Sequence, residues 1–186
     1  GLPLGGAKGG IAVDPTKLSR TEKQNLTRRY TTEILPFIGP QQDIPAPDVG
    51  TDAQTMAWLM DTYSQSVGYA VQGVTTGKPV EIGGSLGRTG ATGLGAIFVL
   101  EEALKLKNRD MKGVTVAVQG FGNVGSEAAN LFSEYKSKIV CIQDHTGTIF
   151  NADGINLEGL HAHVAATQGV VGFAGAKQID NEDFWD

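Results

Sequence analysis

Residues 113–132, GVTVAVQGFGNVGSEAANLF, leave a chain little choice of fold. A run rich in β-branched residues stops at a glycine, and a helix-type pattern begins a few residues later. Between the two, Gly120-Phe121-Gly122-Asn123-Val124-Gly125 completes a G-x-G-x-x-G. Alone that motif is weak. Placed between a strand and a helix it is the fingerprint of a dinucleotide site. Gly120 permits the tight turn, Gly122 lets backbone approach a pyrophosphate, and Gly125 lets helix and strand pack closely. Backbone N–H groups at the helix start, Val124 among them, then face the anion. A second strand-type run, KIVCIQD, ends at Asp144, about 24 residues after Gly120. There a carboxylate is placed to accept from the adenosine ribose, which favours NAD, while His145 beside it could meet the 2′-phosphate of NADP. The choice between NAD and NADP stays open.

The order strand, helix, strand from about residue 112 onward is a βαβ unit and implies a parallel sheet, so the fold class is α/β. A short strand pair is expected around GTIFNADG and a helix over NLEGLHAHVAAT. Upstream, KGGIAVD reads as a short strand. Ser19 with Glu22 three residues on forms a capping-box pattern for a helix ending near Pro36. Thr51 or Asp52 caps a second helix, DAQTMAWLMDTYSQS, whose Ala53, Met56, Met60 and Tyr63 recur at helical spacing and should face a core. The glycine-rich TGKPVEIGGSLGRTGATG reads as a connector before a helix over LGAIFVLEEALKLK. The change in composition puts a boundary near residues 80–88, dividing the chain into 1–84 and 85–186.

Composition narrows the partners. The net charge is −5, and no block of five or six basic residues occurs, which argues against nucleic acid or an anionic membrane surface. No apolar run approaches the 18 residues of a membrane span and no signal peptide is visible, so a cytoplasmic protein is expected. The single cysteine, Cys141, lies in an apolar run and reads as a buried, inert thiol. His161 and His163, two apart on a helix, point to different faces and make a poor metal pair, so no metal is expected. The chain begins at glycine without methionine and stops at NEDFWD, which reads as an internal portion of a longer protein.

Glycine is the compositional outlier, 26 of 186 residues, about twice its usual share of roughly 7%. One cluster, GGAKGG, sets Lys8 between Gly5-Gly6 and Gly9-Gly10. It is no phosphate loop, because that loop needs Ser or Thr after the lysine. Glycines allow backbone to come close to something, and a poorly solvated amine so placed can polarise a carbonyl or activate water near neutral pH. DIPAPDVGT supplies an acid: Pro45 and Pro47 stiffen the loop that carries Asp48. On residue types alone, a plain surface lysine and a plain helix-start aspartate account for the pair equally well.

Four segments in order, LPLGGAKGGI, DIPAPDVGT, GGSLGRTGATG and GFGNVG, resemble the glutamate dehydrogenases of the Glu/Leu/Phe/Val dehydrogenase family over essentially the whole chain. The resemblance implies Lys8 as catalytic lysine, Asp48 as the proton-transferring carboxylate, and Thr92 and Asn123 as cofactor contacts. It implies that residues 1–84 are the C-terminal part of a substrate, dimerisation-type domain and 85–186 the N-terminal part of a dinucleotide-binding domain, Rossmann-like, with a cleft between them. The implied reaction is reversible oxidative deamination of L-glutamate to 2-oxoglutarate and ammonium with NAD or NADP, in a homo-oligomer, a hexamer in the family. Two further substrate lysines upstream and a substrate serine downstream in the family have no matching position here, so this portion alone is expected to be inactive. Leucine, valine or phenylalanine dehydrogenase is the nearest alternative, and a non-catalytic NAD(P)-binding module the more distant one.

Overall fold

The structure, a computed structural model, describes residues 6–185. The chain divides between Leu86 and Gly87 into two compact units.

The first unit is built on two amphipathic helices, α1 (Arg20–Ile34) and α2 (Ala53–Val67). Both start as local chemistry dictates. Ser19 accepts from the Glu22 N–H while the Glu22 carboxylate accepts from the Ser19 N–H, a complete capping box. At α2 the cap is Asp52, with Thr55 as its reciprocal partner. Gly68, in the left-handed region at φ +84°, ends α2. The helices pack through Ile34, Met56, Leu59, Met60 and Tyr63 onto Ile38, Val71 and Val74. Arg28 ties α1 to α2 by donating to Asp61 at 2.5 Å and Thr62 at 3.1 Å. Ala53 is exposed, because it lies in the first turn, beyond the reach of that core. Residues 6–14 form no strand, contrary to the reading of KGGIAVD: β propensity becomes a strand only where a neighbouring strand pairs with it.

In the second unit α3 (Arg88–Lys105) leads to β1 (Thr115–Gln119), α4 (Asn123–Glu134), β2 (Lys138–Asp144), β3 (Gly147–Phe150), α5 (Leu157–Thr167) and β4 (Lys177–Ile179). The sheet order is β1-β2-β3-β4. β1 and β2 are parallel, joined by α4, with Val118 opposite Ile142. The rest departs from an all-parallel expectation. A tight turn at His145-Thr146 makes β3 antiparallel to β2, and β4 is antiparallel to β3. The strand in GTIFNADG therefore pairs with its neighbours and not within that segment. α3 begins six residues earlier than the glycine content suggests. Its Gly93 is where α3 meets α4, since a Cβ there would lie 3.0 Å from the Ala128 nitrogen. Along β1, Val118 is buried and Thr115, Ala117 and Gln119 are exposed. The core gathers Ile97, Phe121, Phe132, Ile142, Ile149 and Leu160. Cys141 is buried on β2, and burial pushes its thiol up. His161 bonds to Asn130 and His163 to the Val171 carbonyl, so the two rings do point apart.

Candidate functional site

In the first unit the structure brings Lys8 and Asp48 together across forty residues of chain: the Lys8 ammonium donates to Asp48 Oδ2. Gly5 lies outside the described residues. Close approach by the glycine cluster is realised at Gly9, where a Cβ would come within 2.4 Å of the Tyr30 hydroxyl on α1. A side chain at Gly9 would require the Tyr30 hydroxyl to shift for the segment carrying Lys8 to lie against α1 as it does.

Asp48 is held from its own backbone outward. Its N–H donates to Thr51 Oγ1 at 2.7 Å, and its carbonyl accepts from the Thr51 N–H at 3.0 Å. Its Oδ1 accepts from the Val49 N–H at 2.8 Å, which leaves Oδ2 for Lys8. The Lys8 hydrogen bond first, the Val49 N–H next and the Lys8 charge third hold the Asp48 carboxyl below its ordinary value, against a small opposing effect of burial. The lysine is not desolvated as the glycine context suggests: its side chain is 86% exposed and that of Asp48 60%. Glycines make space without excluding water. An ion pair so exposed adds little to stability, on the order of 0–1 kcal/mol for such pairs in general. What the arrangement offers is chemical: an amine and a carboxylate in proton-transfer contact, both open to a solute.

In the second unit the fingerprint adopts its expected geometry. Gly120 has φ +88°, a value open to glycine at little cost. A Cβ on Gly125 would sit 1.8 Å from the Gly120 oxygen, whereas one on Gly122 would meet no protein atom within 4 Å. Gly122 is the N-cap of α4 without a side-chain cap, and the first intrahelical bond runs from the Ser126 N–H to its carbonyl at 2.9 Å. The N–H groups of Asn123, Val124 and Gly125 thus precede that ladder and form the positive end of the helix. The residues present fit a dinucleotide phosphate: backbone donors stand beside a glycine whose missing side chain leaves open space. Thr92 lies on α3 next to Gly93, whose Cα faces Glu127 and Ala128 of α4.

Asp144 ends β2, but its carboxylate is engaged within the protein. Oδ1 accepts from the Thr146 N–H at 2.7 Å and Oγ1 at 2.5 Å, and Oδ2 accepts from the Val170 N–H at 3.0 Å. The Asp144 side chain is 9% exposed and that of His145 76%. The accessible side chain at this strand end is His145.

Sequence reasoning passed over Thr51, which fixes the Asp48 backbone, and Tyr30, which receives Gly9. The T that follows DVG was legible as a helix cap and not as a brace for the aspartate three residues before it. Among the described residues no group of three or more His, Cys, Asp or Glu side chains is arranged to hold a metal. No helix among them is long and apolar enough to cross a membrane.

The fold is α/β, with a glycine fingerprint on one unit and a lysine–aspartate pair on the other, and comparison with known proteins defines the class. Residues 83–186 match the family model described as Glutamate/Leucine/Phenylalanine/Valine dehydrogenase, and residues 1–65 match that of the Glu/Leu/Phe/Val dehydrogenase dimerisation domain. The chain belongs to the Glu/Leu/Phe/Val dehydrogenase family. It is 51% identical over 183 residues to a glutamate dehydrogenase of Thermotoga maritima, covering 98% of this chain and 44% of that protein. It is 50% identical over 182 residues to glutamate dehydrogenase A2 of Halobacterium salinarum, with the same coverage of 98% and 44%. Among solved structures it resembles the hetero-hexameric glutamate dehydrogenase of Thermus thermophilus in its Leu-bound form, with TM-score 0.88 and 44% identity over 94% of this chain and 42% of that one. The chain spans less than half the length of the curated relatives it matches.

Proposed function

We propose that the protein to which this chain belongs catalyses reversible oxidative deamination of L-glutamate to 2-oxoglutarate and ammonium, with NAD or NADP as hydride acceptor. The first unit is the end of the substrate domain and the second the beginning of the nucleotide domain. Gly120, Gly122, Val124 and Gly125 cradle the pyrophosphate, Thr92 and Asn123 orient the nicotinamide end, and the adenosine ribose lies toward Asp144 and His145. A nicotinamide held there would supply the hydride acceptor for Cα of the amino acid. Asp48, ionised beside Lys8, accepts a proton from the substrate ammonium as the imine forms, and returns it to the nitrogen that departs as ammonia. Lys8 orients and activates the water that attacks the imine. As an ammonium it stabilises the negative charge developing on the carbinolamine oxygen. The chemistry balances: one hydride leaves, one water enters, and one ammonium and one proton are released.

The observation that carries this reading is the Lys8–Asp48 hydrogen bond. The names of the relatives support glutamate over the apolar amino acids of the same family. A cytoplasmic site and assembly into homo-oligomers, hexamers as in the family, complete the proposal, and the 186 residues alone are proposed to be inactive. The test is Asp48→Asn in the full-length protein. Turnover should fall by about 10²–10⁴-fold, the usual share of an acid–base group, with dinucleotide affinity unchanged. Wild-type turnover in that variant would remove Asp48 from the mechanism, whereas dinucleotide binding with no turnover of any amino acid by the unsubstituted protein would favour a binding module. A panel of glutamate, leucine, valine and phenylalanine decides the substrate.

A further inference from the structure

We propose that Thr75 and Gly77 are positioning residues that brace the Asp48 loop from beneath and set how far its carboxylate reaches toward Lys8; the inference rests on the role of Asp48 proposed above. Residues 44–48 have no regular secondary structure, so the repeating bonds of a helix or strand do not fix them. Their position comes from the segment Val74–Lys78. The Pro45 carbonyl accepts from two donors there, Thr75 Oγ1 at 2.7 Å and the Thr76 N–H at 3.0 Å. Thr75 is 2% exposed and follows Val74, a member of the first unit's core, so the brace is rooted in the packed interior. Lys78 donates to the Thr75 carbonyl at 2.9 Å and closes the turn.

Gly77 supplies the second point of contact. A Cβ there would lie 2.5 Å from Pro47 Cδ and 2.6 Å from its Cγ, and its φ is +73°. Space and backbone conformation thus each demand glycine. Pro47 is a rigid ring one bond from Asp48, and a displacement of the ring passes directly to the next Cα. On the far side Thr51 holds the Asp48 backbone, and Val49 holds Oδ1. The aspartate is clamped between two supports, with Oδ2 projecting to Lys8. Removing the Thr75 hydroxyl leaves the Pro45 carbonyl its bond from Thr76, so the loop loosens without a buried acceptor being orphaned. Proton transfer is more sensitive to such loosening than folding is, since a shift of about 1 Å in a reacting group costs on the order of 10²-fold in rate.

The experiment is a double-mutant cycle in the full-length protein. Thr75→Val should lower kcat about 10-fold with the KM for dinucleotide and the melting temperature close to wild type. Thr75→Ser should restore kcat. Gly77→Ala should lower kcat further, and Thr75→Val carries the test if Gly77→Ala does not fold. In an Asp48→Asn background Thr75→Val should change kcat by less than about 3-fold, because the group it positions is already gone. An undiminished 10-fold effect in that background, or no kcat effect in the single variant, overturns the brace. Wild-type turnover in Asp48→Asn alone overturns the role of Asp48 instead, and the two failures are read from different arms.

Discussion

Alanine substitutions at Gly122 and Gly125 separate what the fingerprint does for the fold from what it does for a ligand. A methyl on Gly125 would stand 1.8 Å from the Gly120 oxygen and 2.8 Å from its carbonyl carbon. Both obstacles are backbone, so no rotamer change relieves them, and α4 must move away from the end of β1 by more than an ångström. Overpacking of this kind costs about 1–3 kcal/mol, with a backbone clash at the upper end, which corresponds to a fall in melting temperature of about 2–12 °C. At Gly122 the methyl meets no protein atom within 4 Å, and the backbone, at φ −79° and ψ −165°, is open to alanine. Two small effects oppose each other there. Alanine narrows the unfolded ensemble, a gain of about 0.4–1 kcal/mol, and is a poorer N-cap than glycine by a similar amount. Gly122→Ala should therefore melt within about 2 °C of wild type. Its methyl projects into the space where a pyrophosphate would approach. Dinucleotide affinity, measured by fluorescence titration of NADH and NADPH on the full-length protein, should fall at least about 10-fold, or 1.4 kcal/mol. Gly125→Ala should lose both stability and affinity. Unchanged affinity in Gly122→Ala, or matching melts for the two variants, would refute the division of roles.

Two further outcomes follow from charge and hydrogen bonding. The Asp48 side-chain carboxyl, followed by NMR as acid is added, should titrate below the ordinary 3.8 of an aspartate. Its folded pKa lies below its unfolded one, so the pair's contribution to stability is complete above the unfolded value and is lost as pH falls through the folded value. Lys8→Met should move the midpoint up toward 3.8, and identical titrations in both proteins would mean that the pair does not form in solution. Asp144→Ala should leave the Thr146 and Val170 N–H groups without their carboxylate acceptor, at a cost of about 1–3 kcal/mol. Hydrogen exchange at those two amides should accelerate while the amides of β1 keep their protection.

What the amino-acid pattern revealed and what it concealed differ in range. Helix starts are settled within four residues, so the box at Ser19 and a cap at Thr51 or Asp52 were legible. β2 was legible to its last residue, because an apolar run bounded by Ser137 and a tight turn has no competing local structure. The start of α3 was not: Gly90, Gly93 and Gly95 carry low helix propensity, and only the approach of α4 to Gly93 shows that small size there serves packing. β4 escaped notice for the same reason, since three residues with one apolar side chain become a strand only when β3 pairs with them. The candidate site falls between these cases. Lys8 and Asp48 were each marked by the chemistry of their neighbours, glycines and prolines, but their contact spans forty positions that no local rule connects. Stiffness at Pro45 and Pro47 was legible, yet a stiff loop must still be aimed. The aiming groups, Thr75 Oγ1 and the bare face of Gly77, lie in what reads as a connector. A carboxylate that transfers protons needs a fixed position more than it needs burial. That position is built from a hydroxyl and a glycine thirty residues away, whose residue types carry no sign of catalysis.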